Sequence, residues 1–271
     1  KRYFATQDNT ITNAFKPNLK NRATGSNMGA SDILEAFVIH GQTSASVNSV
    51  TAEQSRILLK FDMSEVLSDI TNGVIPSSSV DFKLRMFNAP HANTTPLGYS
   101  LNVSMVTQSW SEGRGLDMEN YTDNGVCNWV SASNNTFWGS DPATPGTAVT
   151  GGYYETGENA SASYFFSGGL EDLEVDVTFA VDRWRSSGSE YNQGFILKHT
   201  DEVIGGTLGT FFTKRFFGRT SEFYFKRPVL EARWDSSRKD NRGNFMISSS
   251  LADGTDNLNT LFLYNNVRGQ L

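Results

Sequence analysis

Apolar and polar residues alternate with a period of two over much of the chain. In "SVDFKLRMF", Val80, Phe82, Leu84 and Met86 fall on one side, against Asp81, Lys83 and Arg85 on the other. That spacing predicts a half-buried strand. "YSLNVSMVTQSW" repeats it through Leu101, Val103 and Met105, while "SRILLKFDM" is nearly continuous in apolar residues, as a strand buried on both faces would be. "GFILKHT", "TFFTKRFFGR" and "RPVLEARW" read as further strands, the last with Pro228 at its start, where a missing N–H is tolerated.

Two stretches carry a helical signal instead. "MSEVLSDI" predicts a short helix capped by Asp62 or Ser64. "DVTFAVDRWRSSG", entered from the strand "LEVDV", predicts another, with Thr178 as cap, Val181 and Trp184 on one face and Gly188 as the stop. The pattern as a whole predicts an all-β, jelly-roll-like antiparallel β-sandwich with one or two short helices and long loops. Residues 131–169 stand apart: they are rich in Ser, Asn, Thr, Gly and Pro, weakly periodic, and read as one long loop. After Trp234 the polar "DSSRKDNRGN" reads as a linker, which divides a sandwich over residues 1–235 from a C-terminal extension over 236–271. The extension holds "FMISSSL" and "TLFLYNNVRGQL", strand-like runs that are expected to connect to another subunit or module.

Charge narrows the function classes. Lys plus Arg number 23 against 29 Asp plus Glu, a net charge of -6, which argues against a nucleic-acid partner. No apolar run approaches the ~18 residues of a membrane-spanning helix, so membrane insertion is not expected, and no apolar core of a signal peptide stands out. Cys127 is the one cysteine, so no internal disulfide staples the fold, and it reads as a small buried hydrophobe.

Candidate chemistry concentrates in "SWSEGRGLDMENYTDNGVCNWV", residues 109–130. Asp117, Glu119 and Asp123 place three hard oxygen ligands in one loop, and calcium is the cofactor such a loop would take. Glu112 lacks a His, Lys or Ser partner within this loop and reads as a structural acceptor for backbone donors or for Arg114. His40 and His199 lie in strand-like runs and His91 lies outside them; the chain has no HExxH pair, GxSxG elbow, CxxC, GxGxxG or P-loop pattern. An enzyme is therefore not expected. Trp129, Trp138, Tyr153 and Tyr154 lie in or beside loops and are the candidates for stacking on a ligand such as a sugar face.

The early "QDNTI", "SRILLKFDMS" at 55–64, "SWSEG" at 109–113, "DVTFAVDRW" at 176–184, the following "YNQGFIL" and "RPVLEARW" at 227–234 occur in an order that resembles the DNRLRE-type domains. Those are β-sandwich modules related to a carbohydrate-binding family. The chain departs from them where a second tryptophan normally follows WSE closely, and the naming hexapeptide is absent, so no sugar specificity carries over. "DNTITNAF", "GSNMGASDILE" and "NLNTLFLYNNVRGQL" also look like virion-associated proteins of marine tailed bacteriophages. The resemblance implies a non-enzymatic virion module in a tail, fibre or capsid decoration. Its expected partners are other virion proteins, copies of itself and host-surface polysaccharide. A secreted bacterial polysaccharide-binding module is the alternative.

Overall fold

The computed structural model describes residues 1–44, 47–91, 97–117, 126–139, 149–157, 160–188, 191–200, 211–235, 251, 253–255 and 258, without the side chains of 40–44, 47–52 and 211. The chain divides into two compact units, Lys1–Arg233 and Trp234–Leu271. Most of the second unit, including residues 245–250 of one strand-like run and all of the other at 260–271, lies outside the described residues.

Among its described residues, the regular structure of the first unit is mostly antiparallel β-strand. In chain order it runs β1 (Arg2–Thr12), β2 (Ile33–Ser44), β3 (Val47–Phe61), helix α1 (Met63–Thr71), β4 (Val80–Met86), β5 (Tyr99–Met105), β6 (Ser131–Ser133) and β7 (Thr136–Phe137). It continues through β8 (Ser161–Phe166), β9 (Leu173–Asp176), helix α2 (Thr178–Ser187), β10 (Phe195–His199), β11 (Phe211–Phe217) and β12 (Val229–Trp234). The hydrogen-bonded order is β8-β5-β10-β3-β1-β12-β4-β9, with β2 joined to β3 and β11 to β2. The end strands β8 and β9 approach each other, so the sheet nearly closes on itself in a sandwich-like all-β fold.

Two long strands make this possible by changing partners along their length. Arg2–Phe4 of β1 pair with β12, whereas Ala5–Thr12 pair with β3, and the change falls at a bulge between Ala5 and Gln7. In β3 the residues up to Gln54 pair with β2, and Ser55–Phe61 pair with β1. A bulge bends a strand and raises its twist, which lets one strand serve both layers.

The alternation predicted for β4 is observed: Val80, Phe82, Leu84 and Met86 are buried. In β3, Ile57, Leu58 and Leu59 are all fully buried, since β3 lies between β1 and β10 and is covered on both faces. The described residues of 131–169 hold more regular structure than their composition suggests. They include β6, β7 and β8, and β8 escapes the period-two reading because its outward positions are Ser and Phe together.

Helix α1 is capped by Asp62, whose carboxylate accepts the Ser64 N–H at 2.8 Å. Helix α2 differs from expectation at its start. Its N-cap is Val177, with no side-chain cap; the Asp176 carboxylate accepts the Thr178 N–H, and Thr178 Oγ1 accepts the N–H of Phe82 instead. Its buried face is Ala180, Val181 and Trp184, with the Trp184 ring 4.9 Å from that of Phe195.

One buried cation ties a loop to this core. The Lys214 ammonium donates to Asn88 Oδ1 at 2.7 Å, Gly169 O at 3.0 Å and Glu171 O at 2.6 Å, between the rings of Phe166 and Phe216. Burial pulls its pKa down to about 8, while three oxygen acceptors satisfy its three protons.

Trp184 is the largest side chain holding α2 to the sheet, and a buried Trp lost to Ala costs about 3–5 kcal/mol. Trp184→Ala should therefore lower the urea midpoint by that equivalent. An unchanged midpoint would place the ring outside the core.

Candidate functional site

The loop from Ser109 to Trp138 lies against one face of the sheet, and its tryptophans are what hold it there. Trp110, Cys127, Trp129 and Trp138 form one buried cluster with Ile11 of β1, Leu58 of β3 and Ile196 of β10. The Trp110 indole N–H donates to Gln193 O at 2.9 Å, and that of Trp138 to Asn128 O at 2.8 Å. Trp129 also lies beneath the Arg56 guanidinium, 5.0 Å from its ring centroid, and against Gly151, where a Cβ would stand 2.8 Å from the ring.

Two of the four ring residues expected to meet a ligand therefore do not face one. Trp129 is 6% exposed and Trp138 is fully buried. Each packs the loop down, because a large ring next to an apolar sheet face loses more contact with water by docking than by standing free. Tyr154 is half-buried at the margin of the same cluster, with Arg56 and Lys198 both 5.6 Å from its ring. Tyr153 is exposed. The four rings do not form a shared platform.

The acidic residues of the loop divide in the same way. Asp117 is exposed, and Glu119 and Asp123 lie outside the described residues. Among the described residues no group of three His, Cys, Asp or Glu side chains is placed to hold a metal ion.

Glu112 is engaged at both oxygens. One accepts the N–H of Asp8 at 2.7 Å, and the other accepts from the Arg219 guanidinium at 2.8 Å. The Asp8 carboxylate in turn accepts the backbone N–H of Arg219. The sequence suggests nearby backbone donors or Arg114 for Glu112, and Asp8 beside Asn9 as a second oxygen-rich candidate for a metal; in the structure Glu112 instead takes the N–H of the distant Asp8 and the guanidinium of Arg219. They come from opposite ends of the sandwich unit.

Around this triad the backbones close with no room for side chains. A Cβ on Gly113 would stand 1.9 Å from Asn27 Oδ1, one on Gly115 1.7 Å from Asn27 O, and one on Gly29 2.3 Å from Gly113 O. Asn27 Oδ1 accepts the Gly115 N–H at 2.8 Å. Asn9 accepts the Met28 N–H and donates to Cys127 Sγ at 2.9 Å. Cys127 is buried and its thiol is pushed up to about 12 by that burial, so it is an inert packing group. His199 is likewise fully buried, with Nε2 3.1 Å from Ala36 O, and serves the core. His91 is half-buried, and the His40 side chain is outside the described residues.

Two surface features among the described residues lie elsewhere. The first is a 3-10 turn, Tyr224–Lys226, where Phe223 is 50%, Tyr224 49% and Phe225 75% exposed. The turn is braced from below. Phe4 lies 4.5 Å from Tyr224, Phe217 stands edge-on to Phe223 at 5.4 Å, and Lys226 and Arg227 sit over these rings. The available sequence signal is three aromatic residues in a row, which no alternating strand can bury on one face.

The second is an open cleft of about 500 Å³ at the β1 bulge, lined by Thr6, Gln7, Lys60, Asp62, Ser64 and Asn192 among others. Its polar groups come from the bulge, the end of β3, the first turn of α1 and the approach to β10.

No family model and no curated protein matches the chain.

Asp8, the buried member of the triad, generates a pH prediction. Burial pushes the Asp8 carboxyl up to about 7, against the lowering effect of Arg219 and with a smaller push from Glu112. A folded pKa above the unfolded value means that stability from this group is greatest below about pH 4 and is lost as pH rises through 7. The stability of wild type relative to Asp8→Asn should therefore fall by at most about 4 kcal/mol between pH 4 and pH 7. Urea unfolding of both proteins across that range measures it. A flat or rising difference would mean that Asp8 is ionised in the folded protein.

Proposed function

We propose that the chain is a non-catalytic module of a phage virion, in a tail, fibre or capsid decoration. In this reading it adheres and assembles through its surface, with other virion proteins, copies of itself and host-surface polysaccharide as partners. The observation that carries the reading is the braced aromatic turn. Three neighbouring rings held half to three-quarters exposed are costly on an isolated surface and useful at a contact, since aromatic and Arg side chains dominate the energetics of interfaces. Their bracing means that little conformational entropy remains to be lost on docking.

Two further points support it. Asp8 and Glu112 are committed to backbone N–H groups and Arg219, and Asp8 is fully buried, which suits a scaffold better than acid–base work on a substrate. The motif segments that resemble the DNRLRE-type domains also contribute most of this framework: "QDNTI" supplies Asp8 and Asn9, "SWSEG" supplies Trp110 and Glu112, and "YNQGFIL" supplies Asn192 and Ile196.

The double variant Phe223→Ser, Phe225→Ser tests the reading, because Phe223 is half and Phe225 three-quarters exposed. Its melting temperature should stay within a few degrees of wild type. Its incorporation into particles, or particle adsorption to host cells, should fall at least about tenfold, as loss of an interface anchor does. Particles that carry the variant at wild-type level and adsorb normally would remove the aromatic turn from the account.

A further inference from the structure

We propose that Lys214 and Asn88 react to form an intramolecular isopeptide bond, a covalent tie between β11 and the segment that follows β4. The tie is independent of the adhesion role above. It follows from an amine and an amide held in contact at one apolar site, with a carboxylate beside them.

Lys214 holds a position that the strand pattern reserves for an apolar side chain. It shares the inner face of β11 with Phe216, and both are fully buried. A lysine buried this deeply normally has a carboxylate partner. Here its three acceptors are the Asn88 amide oxygen at 2.7 Å and the Gly169 and Glu171 carbonyl oxygens at 3.0 and 2.6 Å. The Phe166 and Phe216 rings stand 4.8 and 5.2 Å from the ammonium. A buried charge bonded only to neutral groups is costly, and conversion of the amine to an amide removes that charge.

The backbone presents the amide to the amine. Asn88 lies opposite Phe216 in an antiparallel bridge; beside it the Ala89 N–H donates to Arg215 O at 3.0 Å and the Phe217 N–H to Phe87 O at 3.1 Å. The Asn88 N–H is itself fixed by Asp172 Oδ1 at 2.8 Å. In that register Asn88 and Lys214 are diagonal neighbours on one face, a separation that a long side chain spans. Two groups held in this way meet at a very high effective concentration, and that is what lets an amine attack an otherwise inert amide.

The chemistry balances without a co-reactant. Burial brings the Lys214 pKa down to about 8, so part of the side chain is neutral amine near neutral pH. Its Nζ lone pair attacks Asn88 Cγ; the Nζ–Cγ bond forms and the Cγ–Nδ2 bond breaks. The attacking nitrogen gives up a proton, the leaving nitrogen takes one, and ammonia departs. An ammonium and a primary amide thus become a secondary amide and an ammonium ion. Glu171 carries the proton between the two nitrogens. Its backbone O accepts from Lys214, and among the described residues its carboxylate pulls on the ammonium most strongly, ahead of Asp172. Burial works against ionisation of Glu171, but the Gly168 N–H and the Ser167 hydroxyl bring its pKa to about 2, so it takes the proton only in passing. The bond joins residues 126 apart in a chain with a single cysteine, and such a closure stabilises by restricting the unfolded chain.

The test is the mass of the denatured full chain by electrospray, taken after the folded protein has stood overnight at about pH 8, near the Lys214 pKa. The chain should be lighter than its sequence by one ammonia, and peptide fragmentation should map the loss to a branched peptide that joins Asn88 to Lys214. Lys214→Arg and Asn88→Ala should each keep the full mass and melt at least about 10 °C lower. Glu171→Gln should gain the bond at least about tenfold more slowly; reaction at the wild-type rate would remove Glu171 from the assignment. A wild-type chain of full mass, or ammonia lost at any other residue, would overturn the bond itself. The wild-type mass decides alone, so the result stands even where a variant fails to fold.

Discussion

Asp8, Glu112 and Arg219 bind one another across sequence separations of 104 to 211 residues, and the rest of the sandwich is arranged around that contact. Asp8 lies in the part of β1 that pairs with β3, a few residues beyond the bulge where β1 leaves β12. Glu112 anchors the root of the long loop, and Arg219 anchors the turn after β11. A partly buried ionic contact of this kind is not chiefly a source of stability, because desolvation of the charges offsets much of their attraction. What it supplies is registry: each of the three segments has one position in which all three partners are met, and Gly29, Gly113 and Gly115 let the backbones reach it.

From that anchor the long loop becomes part of the core. Glu112 fixes its root, and Trp110, Trp129 and Trp138 pack in one cluster with Ile11, Leu58 and Ile196. The loop that looks richest in chemistry is thus the lid of a hydrophobic layer. Rigid scaffolds with contact groups at their margins suit recognition, since binding residues gain from being positioned before the partner arrives. The aromatic turn and the bulge cleft both adjoin β1: Phe4 braces the turn, while Thr6 and Gln7 line the cleft.

The fold was largely legible where one face of an element is buried and the other is wet. Val80 to Met86 and Leu101 to Met105 carry the strand period, and Asp62 is a local cap. Legibility failed where burial is decided by tertiary contact. Trp129 and Trp138 have polar neighbours in sequence and a core beneath them in space, so they read as ligand candidates. Asp8 and Arg219 carry no mutual signal across 211 residues. The cleft was invisible for a related reason: Gln7, Lys60 and Asn192 are ordinary polar residues until the bulge and the β1–β3 and β3–β10 pairings bring them together.

The central claim is that Glu112 acts on structure, through Arg219, and not on a substrate. A double-mutant cycle over Glu112→Gln and Arg219→Met, read by urea unfolding and by glycan hydrolysis on the same four proteins, tests it most directly. The account predicts a coupling energy of about 1–3 kcal/mol, the range for a partly buried, hydrogen-bonded ion pair, and no hydrolysis by any of the four. Hydrolysis by wild type that vanishes in a fully folded Glu112→Gln, with no coupling in stability, would contradict it.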